Sequence, residues 1–336
     1  MALILLVAEV EGGSLTDIGG QLALAAKNVA GAGDEIAVAV MSDDPIAAAE
    51  SAARLDVSTV FSIAHPALAE GGTGGFDAPV SALATLCSEK QPSVVLLGKT
   101  DFGSNVGPRV AFRLGSGFAQ DCIDLRAESA ADRIAITRPV HGGNAMAVYR
   151  FRDRDPQVAT IRLNVFDPEG VPDEGTPTGA AEIVQFDAAA AIGETRSRLI
   201  EVVAEESKGV RLEDADVVIS GGRGLGGPAP FERLQELTDI LGGALGASRA
   251  ACDAGWIDHG HQIGLTGKSI SPRVYITFGI SGASQHMAGC SGAKAIVAIN
   301  KDADANIFKE ARFGVVGDWE KVLNGFMATV QELTGN

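Results

Sequence analysis

Positive charge is scarce in this chain: Lys and Arg together number 27 against 43 Asp and Glu, a net charge of -16 over 336 residues. A surface field of that sign repels phosphate backbones and anionic lipid, which argues against nucleic acid as a partner. Cysteine is sparse as well. Cys87, Cys122, Cys252 and Cys290 stand far apart with no C-x-x-C pair, so neither a zinc site nor a disulfide framework is indicated, and a reducing cytoplasm fits best. Aromatic residues make up only 5%, and Trp256 and Trp319 are too isolated to form a stacking platform for single strands. Nowhere do about 18 apolar residues run together, so no membrane insertion is expected. Met1 to Ala8 has no basic flank and runs into Glu9 and Glu11, which reads as an opening strand of a soluble, unprocessed protein and not as a signal peptide.

What the chain does have is apolar mass, 46% of residues, and 42 glycines. At roughly 100 to 200 residues per domain, two domains with real cores are expected. Early β-rich runs at Leu3–Val7, Glu35–Val40, Thr59–Ile63 and Ser93–Gly98 alternate with Ala-rich segments of helical spacing such as Gly20–Val29 and Ala47–Leu55. Such alternation predicts a parallel, doubly wound sheet over residues 1 to about 125, covered on both faces. From Arg133 to Phe186 the runs Ile134–Thr137, Ala145–Tyr149, Val158–Leu163 and Ile183–Phe186 alternate more and read as an antiparallel extension of the same domain. Asp167–Thr178, with three prolines and four acids, reads as a surface loop, and the charged stretch Glu194–Leu212 as a seam that permits a hinge. Beyond it, Val217–Ser220, Gly243–Ala247, Val274–Gly279, Ala295–Ile299 and Gly314–Val316 predict a second, five-stranded sheet. Residues 1–190 carry net charge -12 and 191–336 only -4, so the second half repels a phosphate-bearing ligand less.

The chemistry concentrates in that half. The strand Val217–Ser220 runs into Gly221-Gly222-Arg223-Gly224-Leu225-Gly226-Gly227 before a helical stretch, and Gly222, Gly224 and Gly227 satisfy G-x-G-x-x-G. Those glycines would let backbone approach a diphosphate, although an unliganded glycine turn is an even alternative. A nicotinamide-binding unit needs an acid at the tip of the next strand to hold a ribose. Here that tip is Ser248-Arg249, which suits an anionic partner or a reduced flavin ring, unless Arg249 is merely an ion-pair partner. Two loops, Gln262–Lys268 and Ser281–His286, offer free backbone N–H groups and the side chains Thr266, Gln285 and His286 at the carboxyl ends of strands, or else ordinary turn chemistry. Asp258-His259-Gly260-His261 reads as a solvated turn and not a metal site, Cys290 as a buried small residue, and Lys99 and Lys301 as exposed lysines.

Five ordered motifs, Ser220–Leu225, Gly246–Ala251, Gly264–Lys268, Gly279–His286 and Ala298–Asp302, resemble the FAD-binding domain of the electron transfer flavoprotein alpha subunit. Phe102-Gly103 with Pro108-Arg109, and Arg138-Pro139 with Gly142-Gly143-Asn144-Ala145, resemble that family's N-terminal half. The resemblance implies an α/β chain of two domains: a mostly parallel doubly wound sheet with an antiparallel extension over 1–190, a linker at 191–205, and a Rossmann-like FAD-binding domain over 206–336. It implies an electron carrier without substrate chemistry of its own. Electrons would come from acyl-CoA or amine dehydrogenases, as in fatty acid β-oxidation, and pass to an acceptor such as a membrane quinone oxidoreductase. It further implies a heterodimer with an AMP-binding beta subunit, in the cytoplasm.

By that resemblance Arg223 and Ser248 bind the diphosphate region of FAD, and Arg249 lies over the ring, where its cation favours the one-electron reduced, anionic flavin. A unit charge at about 4 Å is worth about 4 kcal/mol at an effective dielectric of about 20. Thr266 matches a hydroxyl on flavin N5 and His286 an imidazole at the O2 edge. Gln262, Ile263, Gly264, Leu265, Ser281, Gly282, Ala283, Ser284 and Gln285 match contact segments, and Asn300, Asp318 and Trp319 the adenosine side. Leu265 departs from the family's usual Gln. An NADH-oxidising bifurcating complex with a second FAD, and a nicotinamide-dependent dehydrogenase, remain as alternatives.

Overall fold

The computed structural model describes residues 2–69, 75–128, 133–141, 145–152, 154–163, 165–166, 181–193 and 210–334. The chain forms two units, Met1–Pro139 with Met146–Ala204, and Val140–Ala145 with Glu205–Asn336. The loop Asp167–Thr178, the glycine stretch Gly142–Asn144, and the seam and linker from Glu194 to Lys208 lie outside the described residues.

In the first unit, strands form where β-branched and leucine residues run together: β1 (Leu3–Val7), β4 (Glu35–Ser42), β5 (Thr59–Ala64), β6 (Val94–Gly98), β7 (Phe118–Cys122), β11 (Gln157–Ile161) and β12 (Glu182–Gln185). A two-stranded ribbon, β2 (Val10–Glu11) and β3 (Ser14–Leu15), follows β1. The seven strands make one sheet in the order β12-β5-β4-β1-β6-β11-β7, and every pairing is parallel. Alternate residues serve opposite faces: Ile4 and Leu6 join one core with Leu22 and Val38, while Leu5 and Val7 join the other with Ile63 and Leu83. The antiparallel extension is a separate sheet of β8 (Asp124–Glu128), β9 (Arg133–Val140) and β10 (Ala145–Arg150), ordered β10-β9-β8, with β8 and β9 antiparallel.

The expectation for Val158–Leu163 and Ile183–Phe186 is corrected. These runs belong to β11 and β12, parallel strands of the main sheet, and β11 lies between β6 and β7 with all five residues buried. The run itself is legible as a strand, but the Gln157 amide at its start does not mark it as a central, fully buried one. The amide's Oε1 accepts from the Ile134 N–H at 2.9 Å, so the polar group is satisfied inside.

The sheet's winding direction reverses between β1 and β6, where an open α/β sheet offers a crevice beyond the carboxyl ends of its strands. Here the chain's own side chains take that position. Thr100 caps the helix Asp101–Leu114 by accepting from Gly103 N–H at 3.0 Å, and its hydroxyl donates to Glu9 at 2.7 Å. Burial pushes the Glu9 carboxyl up to about 7, against the lowering effect of the Thr100 hydrogen bond.

The second unit holds six parallel strands, β13 (Val217–Gly221), β14 (Ala244–Ser248), β15 (Gln262–Ile263), β16 (Val274–Phe278), β17 (Ile296–Asn300) and β18 (Phe313–Val316), in the order β15-β14-β13-β16-β17-β18. This is the 3-2-1-4-5-6 sequence of a dinucleotide-binding sheet. The expected five strands gain a sixth, because two residues of the Gln262–Lys268 loop pair with Ala247 and Ser248, too short a pairing to register as an apolar run. Ile219, Ile276 and Phe278 pack with Leu234 and Leu237 of the helix Pro230–Leu241. That helix opens on proline and stops at Gly242, whose φ is 62°. Val218 and Tyr275 pack on the other face with Ile263 and Cys290. No helix among the described residues is long and apolar enough to cross a membrane.

Candidate functional site

In the second sheet the winding reverses between β13 and β16, and here the carboxyl ends open into a cavity of about 760 Å³, within the ~300–1,000 Å³ typical of ligand clefts. Its floor is main chain. Gly224 N–H donates to the Gly279 carbonyl at 3.0 Å and Gly222 N–H to the Phe278 carbonyl at 2.9 Å, lacing the turn after β13 to the turn after β16. A Cβ on Gly224 would sit 2.7 Å from the Gly279 oxygen, and one on Gly222 closer still to the same atom. The glycines of G-x-G-x-x-G therefore serve first to let two turns touch. Gly227, the third of the motif, has open space around it.

Most of the expected residues line the cavity: Arg223, Ser248, Arg249, Gln262, Ile263, Gly264, Leu265, Thr266, Ser281, Ala283, Gln285, His286 and Asn300. The Ser248 hydroxyl is buried with no hydrogen-bond partner, an unusual cost unless something else completes it. Arg223 is exposed and has no ion-pair partner among the described residues. Arg249, by contrast, is held by Asp253 at 3.2 Å, the i,i+4 spacing of a helix, and its side chain is 65% exposed. That carboxylate, itself a wall residue, offsets part of the guanidinium's field.

The two loops differ in what they leave free. In Gln262–Lys268 the N–H groups of Gly264, Leu265, Gly267 and Lys268 all bond within the protein, Leu265 to the Gln285 carbonyl at 2.7 Å. The buried Gln262 amide spans the loop, donating to Thr266 Oγ1 at 3.0 Å and meeting His259 Nδ1 at 3.1 Å. Thr266 thus keeps its hydroxyl proton for a further acceptor. The N–H groups of Gly282 to Gln285, leading into the helix Ser284–Cys290, meet no protein acceptor among the described residues. Leu265 stands on the wall 45% exposed, an apolar contact where the family's amide is expected.

His286 differs from expectation. Its Nδ1 lies 3.0 Å from the Ile263 carbonyl and its Nε2 2.8 Å from the Tyr275 hydroxyl, so neither nitrogen is left to donate to a ring oxygen. Burial lowers its pKa to about 4, and the ring is neutral at pH 7. Asn300 lines the cavity with its amide largely spent, donating to the Ile280 carbonyl at 2.9 Å and accepting from Asp302 N–H at 3.0 Å.

Gly282, Ser284, Asp318 and Trp319 are not in the wall. A Cβ on Gly282 would meet the backbone of Ile307, and Ser284 bonds Gln285. Asp318 accepts from the N–H groups of Glu320 and Lys321 at the start of the helix Trp319–Thr334, while Trp319 packs against the core around Leu323. Sequence reasoning missed Asp253, Asp302, Ala250, Ile280 and Ala305, all wall residues, and Tyr275 behind them. Ala250, Ile280 and Asp302 fall inside the motifs that carry the resemblance, and Asp253 had a signal of its own, four residues after Arg249 on a helical start.

The family model described as the electron transfer flavoprotein domain matches residues 4–191, and the one described as the electron transfer flavoprotein FAD-binding domain matches 211–291. Similar proteins include the electron transfer flavoprotein subunit alpha of Thermoanaerobacterium thermosaccharolyticum, 41% identical over 82% of this chain and 81% of that protein. Those of Megasphaera elsdenii and Bacillus subtilis are 38% and 33% identical, each over 95% of this chain and 94% of its length. The chain belongs to the electron transfer flavoprotein alpha-subunit family. Its second unit is thus an FAD-binding domain, and the cleft fits such a group. The orphaned Ser248 hydroxyl, the unpaired Arg223, the unspent N–H groups before His286 and the glycine floor are what an extended, doubly charged dinucleotide needs.

Proposed function

We propose that the chain carries electrons between dehydrogenases of the acyl-CoA or amine type and an acceptor such as a membrane quinone oxidoreductase, in the cytoplasm, with FAD held in the cleft of the second unit. Bound FAD supplies the ring that accepts and releases the electrons. The chain's part is to hold and bias it: Arg223, Ser248 and the N–H groups of Ala283 and Gln285 would take the diphosphate region, and Thr266 would donate its hydroxyl proton to the ring. Arg249 would lend a positive field moderated by Asp253. The observation that carries this reading is the pairing of a buried hydroxyl lacking a partner with an unpaired arginine at the switch point of a 3-2-1-4-5-6 sheet.

The chain would work as a heterodimer with an AMP-binding beta subunit. Exposed apolar side chains on two sheet edges support a partner: Met146, Val148 and Tyr149 on β10, and Phe313, Val315 and Val316 on β18. Beside β10 lies a cavity of about 510 Å³ lined by Arg138, Arg150, Arg152 and Arg154, a cationic patch in a unit of net negative charge.

Co-expression with a beta-subunit partner tests the proposal. Yellow protein with one FAD per heterodimer, reduced by a dehydrogenase and its substrate, is expected. Protein that never retains flavin would sink it, and two flavins per heterodimer would point to the bifurcating complex.

A further inference from the structure

The His286 ring is fixed from both ends by the chain. A carbonyl oxygen can only accept, so the 3.0 Å contact with Ile263 puts the proton on Nδ1. Nε2 must then accept from Tyr275 Oη at 2.8 Å. Tyr275 is fully buried, and burial raises its phenol well above the usual 10, so the hydroxyl keeps its proton and donates. The reverse arrangement, imidazolium against phenolate, would place two charges where neither is solvated. The neighbouring Cys290 thiol, pushed up to about 12 by burial and, to a smaller extent, by the Glu310 carboxylate, is neutral and bonds the His286 carbonyl at 3.5 Å. The two rings lie nearly parallel, 28° apart, with centroids 6.0 Å from each other, which leaves the imidazole little room to turn.

We propose that Tyr275 is a positioning residue that occupies Nε2 of His286 while the Ile263 carbonyl holds the proton on Nδ1, so that the imidazole meets the cleft with neither a positive charge nor a free N–H. The inference deepens the flavin-cleft reading and rests on it only for its consequence: the tuning of charge in the cleft falls to Arg223 and Arg249, with His286 a shaped, uncharged wall. The hydrogen-bond pattern itself is a property of the chain.

The test is ring ¹⁵N nuclear magnetic resonance of the full-length protein, labelled at its five histidines and purified with its partner subunit. His286→Asn assigns the signal by its loss. In the unmodified protein the His286 resonances should show Nδ1 protonated, Nε2 bare, and no titration between pH 5.5 and 8. In Tyr275→Phe, Nε2 loses its donor while the Ile263 carbonyl keeps the proton on Nδ1, so the bare Nε2 resonance should move downfield, toward that of an unbonded imidazole nitrogen, with the Nδ1 resonance little changed. A proton on Nε2 or an imidazolium at pH 7 in the unmodified protein overturns the proposal, as does a Tyr275→Phe spectrum that matches it. If Tyr275→Phe fails to fold, the tautomer of the unmodified protein decides alone. Flavin absorbance of the same samples reports separately on the cofactor: colourless protein showing Nδ1–H would sustain the proposal and sink the flavin reading.

Discussion

The two units contain the same device, a parallel sheet whose winding reverses beside its first strand, and they use it in opposite ways. In the first, the crevice between β1 and β6 is stoppered by Glu9 and Thr100. In the second, the crevice between β13 and β16 is kept open by small residues and floored with backbone. Topology says where a ligand could sit; a single side chain decides whether it can.

The largest effect should come from breaking the open floor. Gly224→Val forces a Cβ onto the Gly279 backbone, and purified protein should lose essentially all flavin absorbance. Gly103→Ala in the first unit also meets main chain, at the Gly98 carbonyl, and should lower thermal stability while the protein that does fold stays yellow. Equal flavin loss in both variants would erase the contrast.

The buried acid and the buried imidazole should give the units opposite pH responses. Glu9 has its pKa raised in the folded state, so its contribution is favourable at low pH and is lost as pH climbs from about 4.5 to about 7, at a cost on the order of 3 kcal/mol. His286 has its pKa lowered, so its contribution is full above about 6.5 and lost as pH falls toward about 4. Denaturant unfolding of Glu9→Gln should show the first dependence flattened and the second intact.

Smaller effects separate positioning from tuning. Ser248→Ala removes the donor best placed for an anionic ligand and should weaken FAD retention about tenfold, near 1.4 kcal/mol, measured by dialysis. Arg249→Ala should lower the flavin potential and Asp253→Asn should raise it, each on the order of tens of millivolts given their exposure, read by redox titration. Leu265→Gln should leave FAD content unchanged within about 0.5 kcal/mol, since the exchange leaves the Leu265 N–H bonded to the Gln285 carbonyl and the loop's backbone in place.

The sequence is most informative where periodicity and chemistry coincide. Buried runs such as Leu3–Val7 and Val94–Gly98 read directly as parallel strands, and the glycine turn with the Ser248-Arg249 tip marks the cleft. Legibility ends where a residue's role depends on a distant neighbour. The run Val158–Leu163 reads as a strand, but its central, parallel place is not legible, because the Gln157 amide that opens it is satisfied from β9. Asp318 fits a contact motif yet spends its carboxylate on a helix start, and nothing in the sequence near Glu9 shows that it pairs with Thr100, far along the chain. His286 is legible as a wall residue, but both its ring nitrogens are occupied by the chain, one by the Ile263 carbonyl and one by Tyr275, which looks like any core aromatic.

Because the bottom of the cleft is peptide laced to peptide, no ordinary side-chain exchange can reshape it gently. Anyone wishing to retune this protein's electrochemistry must therefore work from the rim, at Leu265, Asp253 and Arg249, where change is graded, and leave the glycines as fixed foundations.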